Sequence, residues 1–170
     1  IKTFKMLAQL ICLARVQAAF AVTVFLLLAG CAVRPGSDVL EPVAKPPSYT
    51  DKVHLLVATT RDRGSMDDPN AFTAERAKHL NFASLTISIP THHKAGQIEW
   101  PDTVPPDPSL HFMTTDRAFL DAGSFRDQIR ARARQGGPEA NSVLVFVHGY
   151  NTLYEEAVYW FAQIIHDSGY

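Results

Sequence analysis

Nine residues constrain this chain more than any others: Val143-Leu144-Val145-Phe146-Val147-His148-Gly149-Tyr150-Asn151. The first five are apolar and mostly β-branched, without a polar interruption. That pattern predicts a strand buried on both faces, as in a parallel sheet covered by helices. The run stops at His148-Gly149, and Gly149 tolerates backbone angles that a residue with a Cβ resists. A helical pattern follows at once. Thr152 and Glu155 fit a capping box. Tyr154, Ala157, Val158, Phe161, Ile164 and Ile165 recur at helical spacing and predict one apolar face. The unit reads as strand, tight turn, helix.

A turn of this kind presents backbone N–H groups beside a helix N-terminus, where the helix dipole favours a negative oxygen. Acyl transfer needs such a place when a carbonyl oxygen becomes an oxyanion. The strand-His-Gly-X turn resembles the oxyanion loop of α/β-hydrolases, which follows their third strand. From Ala58-Thr59-Thr60-Arg61 through Phe146-Val147-His148-Gly149-Tyr150-Asn151 the sequence is similar to a bacterial family of uncharacterised α/β-hydrolases (DUF900-like), described as esterase- or lipase-like. The resemblance runs from about Val53 to Tyr170. It implies an α/β fold, here the N-terminal half of an α/β-hydrolase sheet with flanking helices, incomplete. It also implies an oxyanion hole at Tyr150 and Gly149, with the Tyr150 N–H as the foremost donor. His148 and Asn151 would support the loop.

Length allows one domain at most, and 46% apolar with 19% charged residues reads as globular. The formal net charge of −1 gives no strong electrostatic bias. No dense basic run with interleaved aromatics occurs, so no nucleic-acid partner is expected. The chain starts at Ile1 and ends at Tyr170 just as the last helical pattern closes. Both ends read as the edges of a fragment.

Lys2, Lys5 and Arg15 precede an apolar run from Ala18 to Ala29. A dozen residues falls short of the ~20 needed to span a bilayer. The run fits the apolar region of a secretory signal, with Met6 as a plausible start. Leu28-Ala29-Gly30-Cys31 resembles the lipobox of bacterial lipoproteins. That resemblance implies acylation of Cys31 and a lipid anchor in the bacterial cell envelope, at the outer membrane or the periplasmic face. A buried helix with an incidental Cys is the other reading. With Cys12 in the signal and Cys31 acylated, no thiol remains for a disulfide or a metal site.

The expected organisation is therefore a signal peptide over 1–30, a Pro-rich tether over 31–50 and a partial α/β-hydrolase domain over 51–170. Pro35, Pro42, Pro46 and Pro47 favour extended chain. An ordered arm packed along the domain is the alternative for that stretch.

Val53 to Thr60 is predicted as the first strand, and Arg61 to Asn70 as a loop. Three Asp residues in that loop invite a calcium reading, but their spacing does not fit a twelve-residue calcium loop. Leu85, Ile87 and Ile89 alternate with Ser84, Thr86 and Ser88, which predicts a half-exposed outer strand over Leu80–Ile89. His92 and His93 read as surface residues, because adjacent side chains do not easily face one site. Gln97 to Trp100 is a candidate short strand. Phe112 to Phe119 is ambiguous. Ser124 to Gln135 reads as a helix whose arginines form a solvated face, with an anionic-lipid patch as the other reading; Gly136-Gly137-Pro138 stops it.

No G-x-S-x-G occurs. Ser124 and Ser168 stand beside glycines but in the wrong place for the nucleophile of this fold. The resemblance therefore puts the catalytic triad beyond Tyr170 and leaves the 170 residues inactive by themselves. The function expected is a membrane-tethered serine hydrolase acting on carboxylic esters or related acyl substrates, small molecule or lipid, truncated before its nucleophile. No cofactor and no metal are expected. The alternative is a non-catalytic envelope lipoprotein whose α/β module binds a partner.

Overall fold

The computed structural model describes residues 34–64, 72–135 and 142–170. Three strands form one antiparallel sheet in the order β1 (Lys52–Arg63), β2 (Phe72–Ser88), β3 (Met113–Leu120). Two helices follow, α1 (Ala122–Ala133) and α2 (Tyr154–Ser168). Together they make a partial α/β fold.

Alternation in the sequence sets the faces of the sheet. Val53 pairs with Ile87, Leu55 with Leu85 and Val57 with Ala83. These apolar pairs meet α2, whose Tyr154, Val158, Tyr159 and Ala162 are buried with them. Each of the buried Val53, Leu55, Leu85 and Ile87 side chains stabilises the fold by roughly 1.5–3 kcal/mol. Phe72 bridges the layers, edge-on to Tyr154 at 5.1 Å and tilted against Phe119 at 5.5 Å. The buried stripe of α2 lies slightly off the expected one: Tyr159 and Ala162 are fully buried, and Ile164 is exposed.

The opposite face carries α1. Phe125 lies on Phe82 with ring centroids 4.6 Å apart, and the Arg132 guanidinium donates to the His54 carbonyl at 2.9 Å. No residue of α1 is fully buried, so this layer is thin. Arg130 pairs with Asp127, and the solvated-face reading suits the exposed arginines. The Gly136-Gly137-Pro138 stop lies outside the described residues, as does most of the loop after Gly64.

Four expectations are corrected. Leu80–Ile89 is not an outer strand: β2 is central and begins at Phe72. Its polar residues are buried because they find partners, Ser88 with Thr50 at 2.6 Å and Thr86 with the His54 ring at 2.9 Å. Satisfied hydroxyls remove the cost of burying that face. The second correction concerns element bounds: Gln97–Trp100 is a loop, and β1 runs three residues beyond Thr60 to Arg63.

The third correction concerns the proline-rich stretch. Residues 37–50 form an ordered arm rather than a free tether. A single 3-10 turn, Ser37–Leu40, buries Leu40 completely. The Val43 amide donates to the Thr114 carbonyl at 3.0 Å, and the Val39 carbonyl accepts from both Tyr159 and Thr114. Proline spacing signals an extended backbone; what decides that the arm docks is the apolar pair Val39 and Leu40.

The fourth concerns Val143–Val147. The segment has no strand partner among the described residues, and Val145 and Val147 are 73% and 84% exposed. A strand apolar on both faces needs a neighbour along its edges and a covering layer on each side. The three antiparallel strands pair only with one another, and the segment joins neither outer edge of their sheet. Phe146 stacks on Phe161 with ring centroids 5.4 Å apart.

Candidate functional site

The turn from His148 to Asn151 is fully open to solvent, with Tyr150 102% exposed. Among the described residues none accepts a hydrogen bond from the Gly149 or Tyr150 amide. The left-handed residue is Asn151, at φ 57°, and not Gly149. Asn adopts that region more readily than most residues with a Cβ. A Cβ at Gly149 would meet nothing within 4 Å, so neither space nor backbone angle demands glycine there. The His148 ring bonds the Gly149 carbonyl at 2.9 Å, which makes Nδ1 the donor.

The helix starts later than the sequence suggests. Leu153 is its N-cap and Tyr154 its first residue. Glu156, rather than Glu155, reaches back and accepts from the Leu153 amide at 2.8 Å. Leucine has no acceptor to return the bond, so only half of a capping box forms. Thr152 is buried, and its carbonyl accepts from the Arg61 guanidinium at 3.1 Å. Glu155 and Glu156 both sit in the first turn, both buried. Their carboxylates occupy the positive end of the helix dipole. Any oxyanion stabilisation must therefore come from the amides of the turn itself, three residues upstream.

A second cluster lies at the other end of α2. His93 is not a surface residue; its side chain is only 6% exposed. His92 points outward, so the adjacent pair divides between solvent and interior. The His93 Nδ1 meets Glu99 at 2.8 Å and Nε2 meets Asp167 at 2.8 Å. Its ring stands edge-on to Phe112 and to His166, both at 5.2 Å between centroids. Burial alone would lower the His93 pKa, but the hydrogen bonds to Glu99 and Asp167 outweigh it and hold the ring above its ordinary value. At Asp167 desolvation pushes up, while the Gly96 amide, Gln163 and His93 together hold the carboxyl well below the usual range. Glu99 also accepts from the Lys94 amide at 3.0 Å. The cluster clips the 91–100 loop to the last turn of α2.

His93, His166 and Asp167 bring one ligand-type atom each within 4.8 Å of one another. Beside them a recess of about 280 Å³ is lined by Tyr49, Asp51, Ile89, Pro90, Thr91, His93 and His166. Nothing in the local sequence marked this site, because its members come from three separate segments. Ser124 caps nothing catalytic: its hydroxyl donates to Asp121, the N-cap of α1, at 2.8 Å. The Ser168 hydroxyl donates back to the Ile165 carbonyl. Cys31 and the apolar run before it lie outside the described residues. Among those described, no helix is long and apolar enough to cross a membrane.

No curated protein and no solved structure matches the chain. One family model does, over residues 123–170, which is well under half of the length. The matched segment takes in all but the first residue of α1, the exposed His148–Asn151 turn and the whole of α2. Over that segment the chain is similar to the family described as alpha/beta hydrolase of unknown function, DUF900.

Proposed function

We propose that this chain supplies the oxyanion side of a serine hydrolase acting on carboxylic esters or related acyl substrates, held at a membrane through a lipid on Cys31. One observation carries the catalytic part: within the family-matched segment the Gly149 and Tyr150 amides stand open, with no protein acceptor among the described residues. An amide in that condition can donate to a developing alkoxide; one already spent on a carbonyl cannot. The second donor comes, in this fold, from the residue after the nucleophile. No G-x-S-x-G turn lies within the 170 residues, so the proposal assigns them no nucleophile, acid or base.

The test is to read the gene past the Tyr170 codon and assay its product on p-nitrophenyl esters of graded chain length. A G-x-S-x-G turn after a further apolar strand, with saturable turnover lost on replacing its serine, supports the reading. A stop codon directly after Tyr170, or a product with neither turn nor turnover, overturns it in favour of a non-catalytic binding module. Tethering is tested separately. Cys31→Ser should move the protein from the membrane to the soluble fraction, and unchanged membrane association refutes the anchor.

A further inference from the structure

The geometry points to a divalent metal site, zinc foremost, formed by His93 Nε2, His166 Nδ1 and the Asp167 carboxylate, next to the recess that His93 and His166 help to line. It is independent of the hydrolase reading. Tyr150 precedes α2 and Asp167 lies in its last turn, so at 1.5 Å per residue the two places are roughly 20 Å apart.

Three features distinguish this cluster from an ordinary surface ion pair. The first is ligand geometry. In tetrahedral zinc at 2.0–2.1 Å, neighbouring donor atoms sit roughly 3.3 Å apart. Here the Asp167 Oδ1 lies 2.8 Å from His93 Nε2 and 3.6 Å from His166 Nδ1, on either side of that value. Side-chain adjustments of a few tenths of an ångström bring these two pairs to it.

The second is an orphaned atom. His166 Nδ1 is buried and has no hydrogen-bond partner among the described residues. A buried ring nitrogen without a partner has given up its hydrogen bond to water and gained nothing in return. It faces Asp167 Oδ1, and a metal ion between them would satisfy it.

The third is the outer layer. Metal-ligating histidines almost always hand their other nitrogen to a carboxylate or carbonyl, which fixes the tautomer. Glu99 takes the outer nitrogen of His93 at 2.8 Å, and Asp51 lies 3.4 Å from the outer nitrogen of His166. Asp167 is braced in the same way: its Oδ2 accepts from the Gly96 amide and from Gln163, so Oδ1 is left for the ligand position. Two histidines and one carboxylate, three protein ligands in all, is the donor set of zinc sites that keep a water in the fourth position. In the metal-free chain the Nε2 proton of His93 occupies the place between that nitrogen and Asp167; the metal ion replaces it, and the proton leaves to solvent.

The experiment is calorimetric titration of the chelator-stripped 170-residue chain with zinc chloride at neutral pH, paired with the absorption spectrum of the cobalt-substituted protein. One zinc per chain is expected, with a cobalt spectrum of low-symmetry nitrogen and oxygen ligation and no thiolate charge-transfer band. His166→Gln and Asp167→Asn should weaken binding by about 100-fold or more, and Glu99→Gln by about 10–100-fold, the range for second-layer partners. His79→Ala, an exposed histidine elsewhere, should leave it unchanged. Circular dichroism establishes that each variant is folded; should any ligand variant unfold, Glu99→Gln and the cobalt spectrum of the unaltered chain decide. Absence of stoichiometric binding, a thiolate spectrum, or wild-type affinity in a folded His166→Gln overturns the site.

Discussion

The Tyr159 hydroxyl donates to the Val39 carbonyl at 2.7 Å, joining positions 120 residues apart. Thr114 donates to the same carbonyl at 2.9 Å. One carbonyl of the N-terminal arm thus ties β3 and α2 to each other. Tyr159 is fully buried, stacked on Trp100 at 5.1 Å with the rings almost parallel. Replacing it by Phe keeps the stack and removes one donor. The Val39 carbonyl retains Thr114, so no buried acceptor is orphaned. Tyr159→Phe should cost about 1 kcal/mol, the net worth of one hydrogen bond. Urea unfolding at an unchanged m-value measures it.

Leu40 gives a sharper reading of the same arm. Its side chain has no exposure and belongs to the main core cluster. Leu40→Ala should destabilise by about 2–5 kcal/mol, the range for a buried leucine that leaves a cavity. Were residues 37–50 a free tether, the substitution would change nothing. Equilibrium denaturation separates the two outcomes without reference to activity.

His54 makes stability depend on pH. Desolvation, then the charges of Arg132 and Lys52, hold its pKa below the ordinary 6.5, against a smaller opposite pull from Asp116. As pH falls through 6.5 the unfolded chain takes up this proton before the folded one does. Stability should therefore fall with pH from that point until the folded-state value is passed. His93 works in the opposite sense: its raised pKa contributes fully below 6.5 and is lost only above it, so it does not distort the acid window. His54→Gln can retain a hydrogen bond to Thr86 and has no titrating group. In thermal melts taken from neutral pH downward, its melting temperature should decline less than that of the unaltered chain. Parallel declines in the two proteins would rule out His54 as a source of the dependence.

What the sequence disclosed follows from where each signal resides. Val53, Leu55, Leu85 and Ile87 announced their strands because alternation is local and the pairs lie directly opposite. Helix α2 was legible for a related reason, although its cap fell one residue later, at Leu153 with Glu156. The central position of β2 was hidden, since hydroxyl pairs such as Thr50 with Ser88 depend on residues 38 positions apart. Val143–Val147 misled because an apolar run states a need for burial and not whether partners exist to meet it. His93 was misplaced for the converse reason: a polar neighbourhood in sequence says nothing about Glu99 and Asp167 folding over both ring nitrogens. The His148–Asn151 turn was located correctly, but its left-handed residue is Asn151 rather than a glycine.

The Tyr150 amide bears the proposed function, and proline at that position removes it. Proline lacks the N–H, and Tyr150 is not among the positive-φ residues that a pyrrolidine ring would reject. Its side chain packs on nothing that the substitution would strip away, being wholly exposed. In a catalytically complete protein bearing this segment, Tyr150→Pro should lower kcat by about 10²–10³, the loss seen for one oxyanion donor, with KM little changed. Tyr150→Phe keeps the amide and should retain near-full turnover. The pair separates main-chain chemistry from any part played by the phenol. If Tyr150→Phe were the damaged variant and Tyr150→Pro the active one, the oxyanion would have to be held elsewhere, because no amide would remain at position 150 to hold it.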